Sequence, residues 1–319
     1  MRRGILAVWF LAALMLSWEA RADRAFVTNQ KSDSVSVVDL TRGRVERTLT
    51  VGRDPAGIAV SPGASRILVT CPGSGEIWFL EGADFSVRAV FHLGDGPLGV
   101  ALAPDGRRAY VADFYEHFVS VIDLDRAEVI KRVPVGHHPA GVVVSANGAS
   151  VYVAEREDDT VSEIDGVTLT IRRSFPVGRH PFGLLLDGSK DRLYVANVES
   201  NDVSVIRLSD GRSEKTLAVG DRPYGLALAG SPPRLFVTNQ YDGTVSVIDP
   251  VGLLAESSLK VGEYPEGIAA SKDGRTIWVA NWFDNTLVGL DVQRRVLLGA
   301  IRVGNAPRAF GQFIAVDAP

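Results

Sequence analysis

The sequence contains a single cysteine and only one long apolar run. Cys71 is the only cysteine among 319 residues, so no disulfide within the chain can stabilise the fold. The apolar run, residues 5–16, is too short to span a bilayer as a helix. No helical apolar periodicity follows it. These absences exclude a disulfide-stabilised domain, a helical bundle and a multi-span membrane protein.

The first 22 residues have the pattern of an export signal. Arg2 and Arg3 precede the apolar run, and Ala-Arg-Ala at residues 20–22 has the small-x-small pattern of a cleavage site. We expect cleavage after Ala22, and the alternative is an uncleaved N-terminal anchor. The mature chain, residues 23–319, is therefore expected to be periplasmic or secreted, with no membrane span.

The mature chain is mildly acidic. Cleavage removes three arginines and one glutamate from the 34 basic and 38 acidic side chains, which leaves 31 and 37. A net negative charge argues against nucleic acid or anionic lipid as the main partner.

A motif of valine or leucine, glycine, two variable residues and proline recurs seven times at a period of 42 residues. Its glycines are Gly52, Gly94, Gly136, Gly178, Gly220, Gly262 and Gly304. Its prolines are Pro55, Pro97, Pro139, Pro181, Pro223, Pro265 and Pro307. We call this the Val-Gly-x-x-Pro motif.

A second motif keeps the same period. Its copies are Phe26-Val-Thr-Asn29, Leu68-Val-Thr-Cys71, Tyr110-Val-Ala-Asp113, Tyr152-Val-Ala-Glu155, Tyr194-Val-Ala-Asn197, Phe236-Val-Thr-Asn239 and Trp278-Val-Ala-Asn281. These copies resemble the YVTN-repeat family of β-propellers, and the resemblance covers essentially the whole mature chain.

Each repeat contains four short β-rich runs separated by turn residues, which predicts a four-stranded antiparallel meander. Apolar residues on both faces of each sheet require cover on both sides. Packing the sheets around an axis provides that cover, whereas an open β-solenoid would need polar caps that the sequence lacks. The prediction is an all-β, seven-bladed propeller over residues 23–319. Because the chain starts on a second-strand motif at Phe26 and ends on a first-strand segment, residues 308–316, blade one is expected to join both termini.

The loops that carry the two motifs share one side of the ring, which we call the motif face. Sixteen acidic and six basic side chains fall on these loops. Nine aromatic residues accompany them: Phe114, Tyr115, Phe118, Phe182, Tyr224, Tyr241, Tyr264, Trp282 and Phe283. Such a face would attract a cationic partner and present aromatic contacts, unless the loops are merely solvated and the rings fold inward.

The residues that follow the motif prolines should line the mouth of the central channel. They are Ala56, Leu98, Ala140, Phe182, Tyr224, Glu266 and Arg308. Glu266 and Arg308 stand one repeat apart and are expected to pair, while Phe182 and Tyr224 form an aromatic arc. Either a small ligand enters there or the bulky groups plug the channel.

Candidate binding residues are taken from these irregular positions. They are His137, His138, His180, Phe182, Tyr224, Tyr264, Glu266, Trp282 and Arg308. Four histidines are metal candidates, namely His117, His137, His138 and His180, although their spacing matches no known ligand motif and loop histidines are commonly just exposed. No cofactor is predicted. Cys71 is expected to be a partly buried, inert thiol, and the alternatives are a reactive thiol or a link between two chains.

The sequence contains no nucleophile elbow, Walker loop, dinucleotide-binding glycine motif, zinc-protease motif or covalent haem motif. The first hypothesis is therefore a monomeric, non-enzymatic binding or scaffold protein that uses the motif face to bind a protein partner or small ligand. The family resemblance implies extracytoplasmic propellers, some associated with quinone-dependent alcohol oxidation, for which a basic cytochrome or dehydrogenase would be a fitting partner.

Two alternatives remain. One is a lactonase-like hydrolase at the channel mouth, with Glu266, Arg308, His138 and His180 as candidate catalytic residues. The other is a redox propeller that carries haem or a metal, although propellers of the haem d1 type usually have eight blades.

Overall fold

A computed structural model describes residues 23–315, so the predicted export signal lies outside the described residues. Blade 1 contains β1 (Arg24–Asn29), β2 (Ser34–Asp39) and β3 (Arg44–Thr50). Blades 2 to 4 contain β4 (Gly57–Val60), β5 (Arg66–Cys71), β6 (Glu76–Glu81), β7 (Ser86–His92), β8 (Pro97–Leu102), β9 (Arg108–Asp113), β10 (Phe118–Asp123), β11 (Glu128–Pro134), β12 (Pro139–Val144), β13 (Ser150–Glu155), β14 (Thr160–Asp165) and β15 (Ile171–Pro176).

Blades 5 to 7 contain β16 (Pro181–Asp187), β17 (Arg192–Asn197), β18 (Asp202–Arg207), β19 (Ser213–Ala218), β20 (Pro223–Ala229), β21 (Arg234–Asn239), β22 (Thr244–Asp249), β23 (Leu254–Lys260), β24 (Pro265–Ala270), β25 (Thr276–Asn281), β26 (Thr286–Asp291) and β27 (Val296–Arg302). The chain then closes the ring with β28 (Phe310–Gln312) and β29 (Ile314–Ala315). Four single 3₁₀ turns lie at Gln30–Ser32, Pro62–Ala64, Pro72–Ser74 and Gly188–Lys190. Within residues 23–315, no helix is long and apolar enough to cross a membrane.

The seven sheets confirm the predicted seven-bladed propeller of antiparallel four-stranded blades. Strands β4 to β27 follow chain order within their blades, as in a meander, whereas β29 stands before β1 in blade 1. The central pair of strands keeps continuous register, and in blade 3 it runs from Asp113 opposite Phe118 to Arg108 opposite Asp123. The blade count is seven, whereas propellers of the haem d1 type usually have eight blades.

Ring closure occurs in blade 1, as predicted, but it involves two blades. Strand β29 pairs antiparallel with β1, so that Ile314 faces Ala25. Strand β28 instead pairs parallel with β4 of blade 2, where Phe310 faces Gly57. Ala309, between the motif proline and β28, has a φ of 47°. The closing segment therefore departs from the repeat and brings Phe310 to the axis.

The first strands of neighbouring blades, which line the axis, approach each other closely. They can do so because a glycine stands two residues after the motif proline in six repeats. A Cβ on Gly99 would lie 1.9 Å from the carbonyl oxygen of Ala140 in the next blade. Threonines of the second motif also join blades: the Thr70 hydroxyl donates to the Leu98 carbonyl at 2.8 Å. A side chain at the glycine position would separate the blades.

Apolar layers between neighbouring blades form the core, which explains why both faces of each sheet are apolar. Tyr110 and Val121 of blade 3 pack with Val142 and Val153 of blade 4 in one such layer. A separate cluster fills the axis and includes Phe182, Tyr224 and Phe310.

Candidate functional site

The two repeated motifs meet at a hydrogen-bonded corner on the motif face. The Gly220 N–H donates to Asn239 Oδ1 at 3.2 Å, and the Gly304 N–H donates to Asn29 Oδ1 at 3.0 Å. A Cβ on Gly220 would lie 2.6 Å from the Asn239 side chain, so glycine is required there. The regular residues of both motifs therefore build the loops and are not available as a ligand site.

Cys71 occupies the asparagine position of this corner in blade 2. Its side chain is fully buried. Burial raises the pKa of the thiol to about 12. Since the thiolate is the reactive form, we predict that this cysteine is unreactive in the native state.

His117 has a structural role in a second repeated turn. Its Nδ1 accepts the His138 N–H at 3.2 Å, just as Asp159 Oδ1 accepts the His180 N–H at 2.8 Å one blade further on. His117 and Asp159 both adopt positive φ, 54° and 55°. Asp, Asn and His tolerate this left-handed conformation better than most residues. Nδ1 of His117 is thus occupied by the loop.

The other candidate histidines lie near carboxylates or aromatic rings. His137 Nδ1 is 2.9 Å from Asp158 Oδ1, and His180 Nε2 is 3.7 Å from Glu157 Oε2. The His117 ring centroid lies 4.9 Å from that of His137 and 5.3 Å from that of His138. Within residues 23–315, no group of three or more His, Cys, Asp or Glu side chains is arranged to hold a metal ion.

The acidic character of the motif face is partly a consequence of loop geometry. Three of its sixteen acids, Asp113, Glu155 and Glu266, are buried. Others accept backbone N–H groups, as Asp242 Oδ2 does from Asp221 at 2.7 Å. Several carboxylates therefore stabilise loops and are less available to a partner than their number suggests.

An aromatic cluster closes the channel beneath its mouth. The Phe182 and Tyr224 rings stack with centroids 4.3 Å apart, which confirms the predicted arc. Phe310 packs against both rings at 4.9 and 5.4 Å. The channel is therefore plugged, and what remains open is a pocket above the plug.

A buried polar network forms one wall of this pocket. Arg308 Nε donates to Glu266 Oε2 at 2.7 Å, so the predicted pair forms. Gln240 Nε2 donates to Glu266 Oε1 at 3.0 Å, and Arg308 Nη2 donates to the Tyr224 hydroxyl. Each charged group thus has hydrogen-bond partners despite its burial.

Burial and neighbouring charges shift the pKa values of Glu266 and Arg308 in opposite directions. Burial raises the pKa of Glu266, and Arg308 opposes that rise. Burial works to lower the pKa of Arg308, but Glu266 and Tyr224 together outweigh burial, and the pKa is raised. Burial also raises the pKa of Tyr224. Arg308 is therefore a permanent cation, and Tyr224 remains a neutral phenol.

The pocket has a volume of about 230 Å³. Its lining comprises Arg156, Phe182, Val198, Arg222, Tyr224, Gln240, Tyr241, Tyr264, Glu266 and Arg308. Three guanidinium groups thus face one carboxylate. Arg222 Nη1 is also 3.1 Å from Glu199 Oε1, outside the lining. Arg156 Nη1 contacts Glu157 Oε1 and Arg308 is paired with Glu266, so each guanidinium has a carboxylate partner. The lining itself is arginine-rich, because Glu157 and Glu199 stand outside it.

Comparison with known proteins assigns the chain to a family. The family model described as "Lactonase, 7-bladed beta-propeller" matches residues 58–225, more than half of the sequence. The chain belongs to this family. Among curated proteins, none matches the sequence.

Two solved structures resemble this lactonase-family propeller. Hydrazine synthase from Kuenenia stuttgartiensis is 20% identical with a TM-score of 0.75, over 84% of this chain and 92% of that chain. A functionally unknown protein from Desulfotomaculum acetoxidans DSM 771 is 15% identical with a TM-score of 0.78, over 91% of this chain and 100% of that chain. At these identities the likeness shows the fold alone.

In this lactonase-family propeller, five of the candidate binding residues converge on the pocket, and they are Phe182, Tyr224, Tyr264, Glu266 and Arg308. His137, His138, His180 and Trp282 are absent from its lining. Sequence reasoning missed Arg156, Val198 and Gln240, which occupy the column directly after the second motif, and Arg222, which precedes a motif proline. Aligning those two columns across the repeats would have exposed them, because both vary from blade to blade.

Proposed function

We propose that this protein binds a small organic anion in the pocket at the channel mouth. The observation that carries the proposal is the convergence of Arg156, Arg222 and Arg308 on a concave site, where Glu266 is the only carboxylate that residues 23–315 contribute to the lining. Guanidinium groups match carboxylate and phosphate geometry, and aromatic walls with few polar groups are typical of small-molecule sites.

The charge arrangement favours an anion over a cation at this position. Glu266 is committed to Arg308 and Gln240 by hydrogen bonds of 2.7 and 3.0 Å, so it has little capacity for a cationic ligand. Arg222 has an ion-pair partner on one side and remains at the pocket surface on the other. A carboxylate would find guanidinium donors there.

The charge preference is tested with three ligands that share one ring. Calorimetric titration with benzoate, benzamide and benzylamine should give binding of benzoate only. Arg222→Gln should weaken benzoate binding by at least about tenfold, because hydrogen bonds to charged groups are among the stronger ones. Arg53→Gln, which changes an exposed arginine of the motif face outside the pocket, should leave it unchanged. Equal binding of the amide or amine, or equal effects of the two variants, would refute the proposal.

Lactone hydrolysis is a second candidate, favoured by the family model. Water would add to the lactone carbonyl carbon and the ring C–O bond would break, giving a hydroxy acid. Glu266 would act as the general base, since burial raises its pKa towards the working range of such a group, and Arg308 would donate to the carbonyl oxygen. The product is an organic anion, in keeping with the arginine-rich lining of the pocket. His138 and His180 lie outside the lining and are not included.

Hydrolysis is tested by proton release from a panel of lactones at neutral pH. Glu266→Gln should abolish the rate above background while anion binding persists. A rate no faster than the uncatalysed one, or an unchanged rate in the variant, would leave binding as the function.

We also propose that the protein is exported and that the outer part of the motif face binds a protein partner. Exposed acids such as Asp95, Glu116 and Glu263 suit a basic partner, for example a cytochrome or a dehydrogenase. The mature protein should be recovered from the periplasm or medium with Asp23 as its first residue. Capture of a basic partner at low salt that is lost at high salt would support docking, and salt-independent capture would oppose it.

A further inference from the structure

The pocket is too small to enclose a typical ligand. Its volume of about 230 Å³ lies below the roughly 300–1,000 Å³ usual for small-molecule sites. An anionic group fits inside, but the remainder of a larger ligand would have to lie on the surface beside the mouth.

An exposed aromatic surface adjoins the pocket on blades 6 and 7. We call Tyr241, Tyr264, Trp282 and Phe283 the aromatic ridge. Tyr264 is central, with ring centroids 5.8 Å from Tyr241, 6.0 Å from Trp282 and 5.3 Å from Phe283. Tyr241 and Phe283 are 61% and 59% exposed. Because Tyr241 and Tyr264 also line the pocket, the ridge continues from it.

The fold does not require aromatic residues at the exposed ridge positions. The position equivalent to Tyr241 and Phe283 is occupied in four other blades by Lys31, Gly73, Glu157 and Glu199, and in the fifth by Tyr115. Polar residues and glycine thus satisfy the same turn. Large exposed rings gain little from folding and commonly mark recognition surfaces.

Arg222 connects the pocket to the ridge. Its guanidinium carbon lies 5.3 Å from the Tyr241 ring centroid, in a cation–π arrangement, while its side chain also lines the pocket. A carboxylate held by Arg222 would bring an attached apolar group alongside Tyr241 and Tyr264. The indole Nε1 of Trp282 donates to Gln30 Oε1 at 3.1 Å and holds the far part of the ridge in place.

From this arrangement we propose that the ligand is an amphipathic carboxylate, with its anionic head in the pocket and a planar apolar group on the aromatic ridge. The inference rests on the proposed anion binding and adds the chemistry of the second half of the ligand.

The test uses acetate, phenylacetate and 2-naphthylacetate, which share one head group. Calorimetric titration should show affinity rising by about two- to tenfold with each added ring, the gain expected of aromatic contacts. Phe283→Ala should remove the gain for the naphthyl compound while acetate binding stays unchanged. Tyr115→Ala is the matched control, since Tyr115 is 60% exposed on the same face but lies on blade 3. Both rings are exposed, so neither change should prevent folding.

The outcomes separate the two proposals. Acetate binding without any gain from added rings would overturn the ridge and keep the anion site. Equal losses for Phe283→Ala and Tyr115→Ala would also overturn the ridge. Absence of binding by every carboxylate would overturn both.

Discussion

The buried ion pair at the channel mouth permits a sharp test of the pocket geometry. The Arg308 side chain is 17% exposed and that of Glu266 is 5% exposed. Arg308→Met keeps the bulk of the side chain but leaves the Glu266 carboxylate buried with Gln240 as its hydrogen-bond donor. Removing one partner of a buried pair costs about 3–5 kcal/mol. We therefore expect the free energy of unfolding to fall by that amount at pH 7.

The double variant Arg308→Met, Glu266→Met separates lost charge from lost packing. It removes both charges, and replacing a buried pair by apolar residues is often neutral. Tyr224 and Gln240 lose partners, but both line the pocket and can bond to water. We expect the double variant to recover to within about 1 kcal/mol of the wild-type stability. Urea denaturation followed by tryptophan fluorescence measures all three proteins.

The pH dependence of the single variant has a definite sign. Burial raises the folded-state pKa of Glu266, and without Arg308 nothing charged in the pair opposes that rise. The folded state then binds a proton more readily than the unfolded state, so the deficit of Arg308→Met should shrink as the pH falls towards 4.5. The double variant, which has no carboxyl at this position, corrects for acid effects elsewhere. Equal instability of the single and double variants, or a deficit independent of pH, would refute the assignment of a buried charge.

Three further predictions concern the fold. Because burial raises the pKa of Cys71 to about 12, a thiol-reactive dye at pH 8 should label the protein only after denaturation. Rapid labelling of the native protein would contradict the burial of Cys71. Gly99→Ala should lower the melting temperature markedly, because its Cβ would lie 1.9 Å from the Ala140 carbonyl oxygen. Gly188→Ala is the control, since a Cβ there would have no neighbour within 4 Å, and it should leave the melting temperature unchanged in the same thermal scan. Deleting residues 310–319 should open the ring and lower the melting temperature, because the deletion removes Ile314 and Ala315, which pair with β1. An unchanged melting temperature would contradict closure by strand pairing.

The sequence by itself determined the blade count, the strand order and the position of closure. These follow from the repeat, because a constant period places each repeated residue at the same point of every blade and a chain that starts on a second strand must find its first strand elsewhere. The Glu266–Arg308 pair was predictable for the same reason, since two residues one repeat apart stand on neighbouring blades.

Tertiary structure alone decided which irregular residues share a pocket. Arg156, Arg222 and Arg308 come from different columns and different blades, and only the convergence of the inner strands on the axis brings them together. The closing segment leaves the repeat register and places Phe310 in the plug, which no periodic pattern encodes. His117 shows the converse. The sequence makes it a candidate metal ligand, but in the structure its Nδ1 accepts the His138 N–H and so stabilises a turn. A repeat fixes equivalent positions, whereas a binding site depends on distances between positions that are not equivalent.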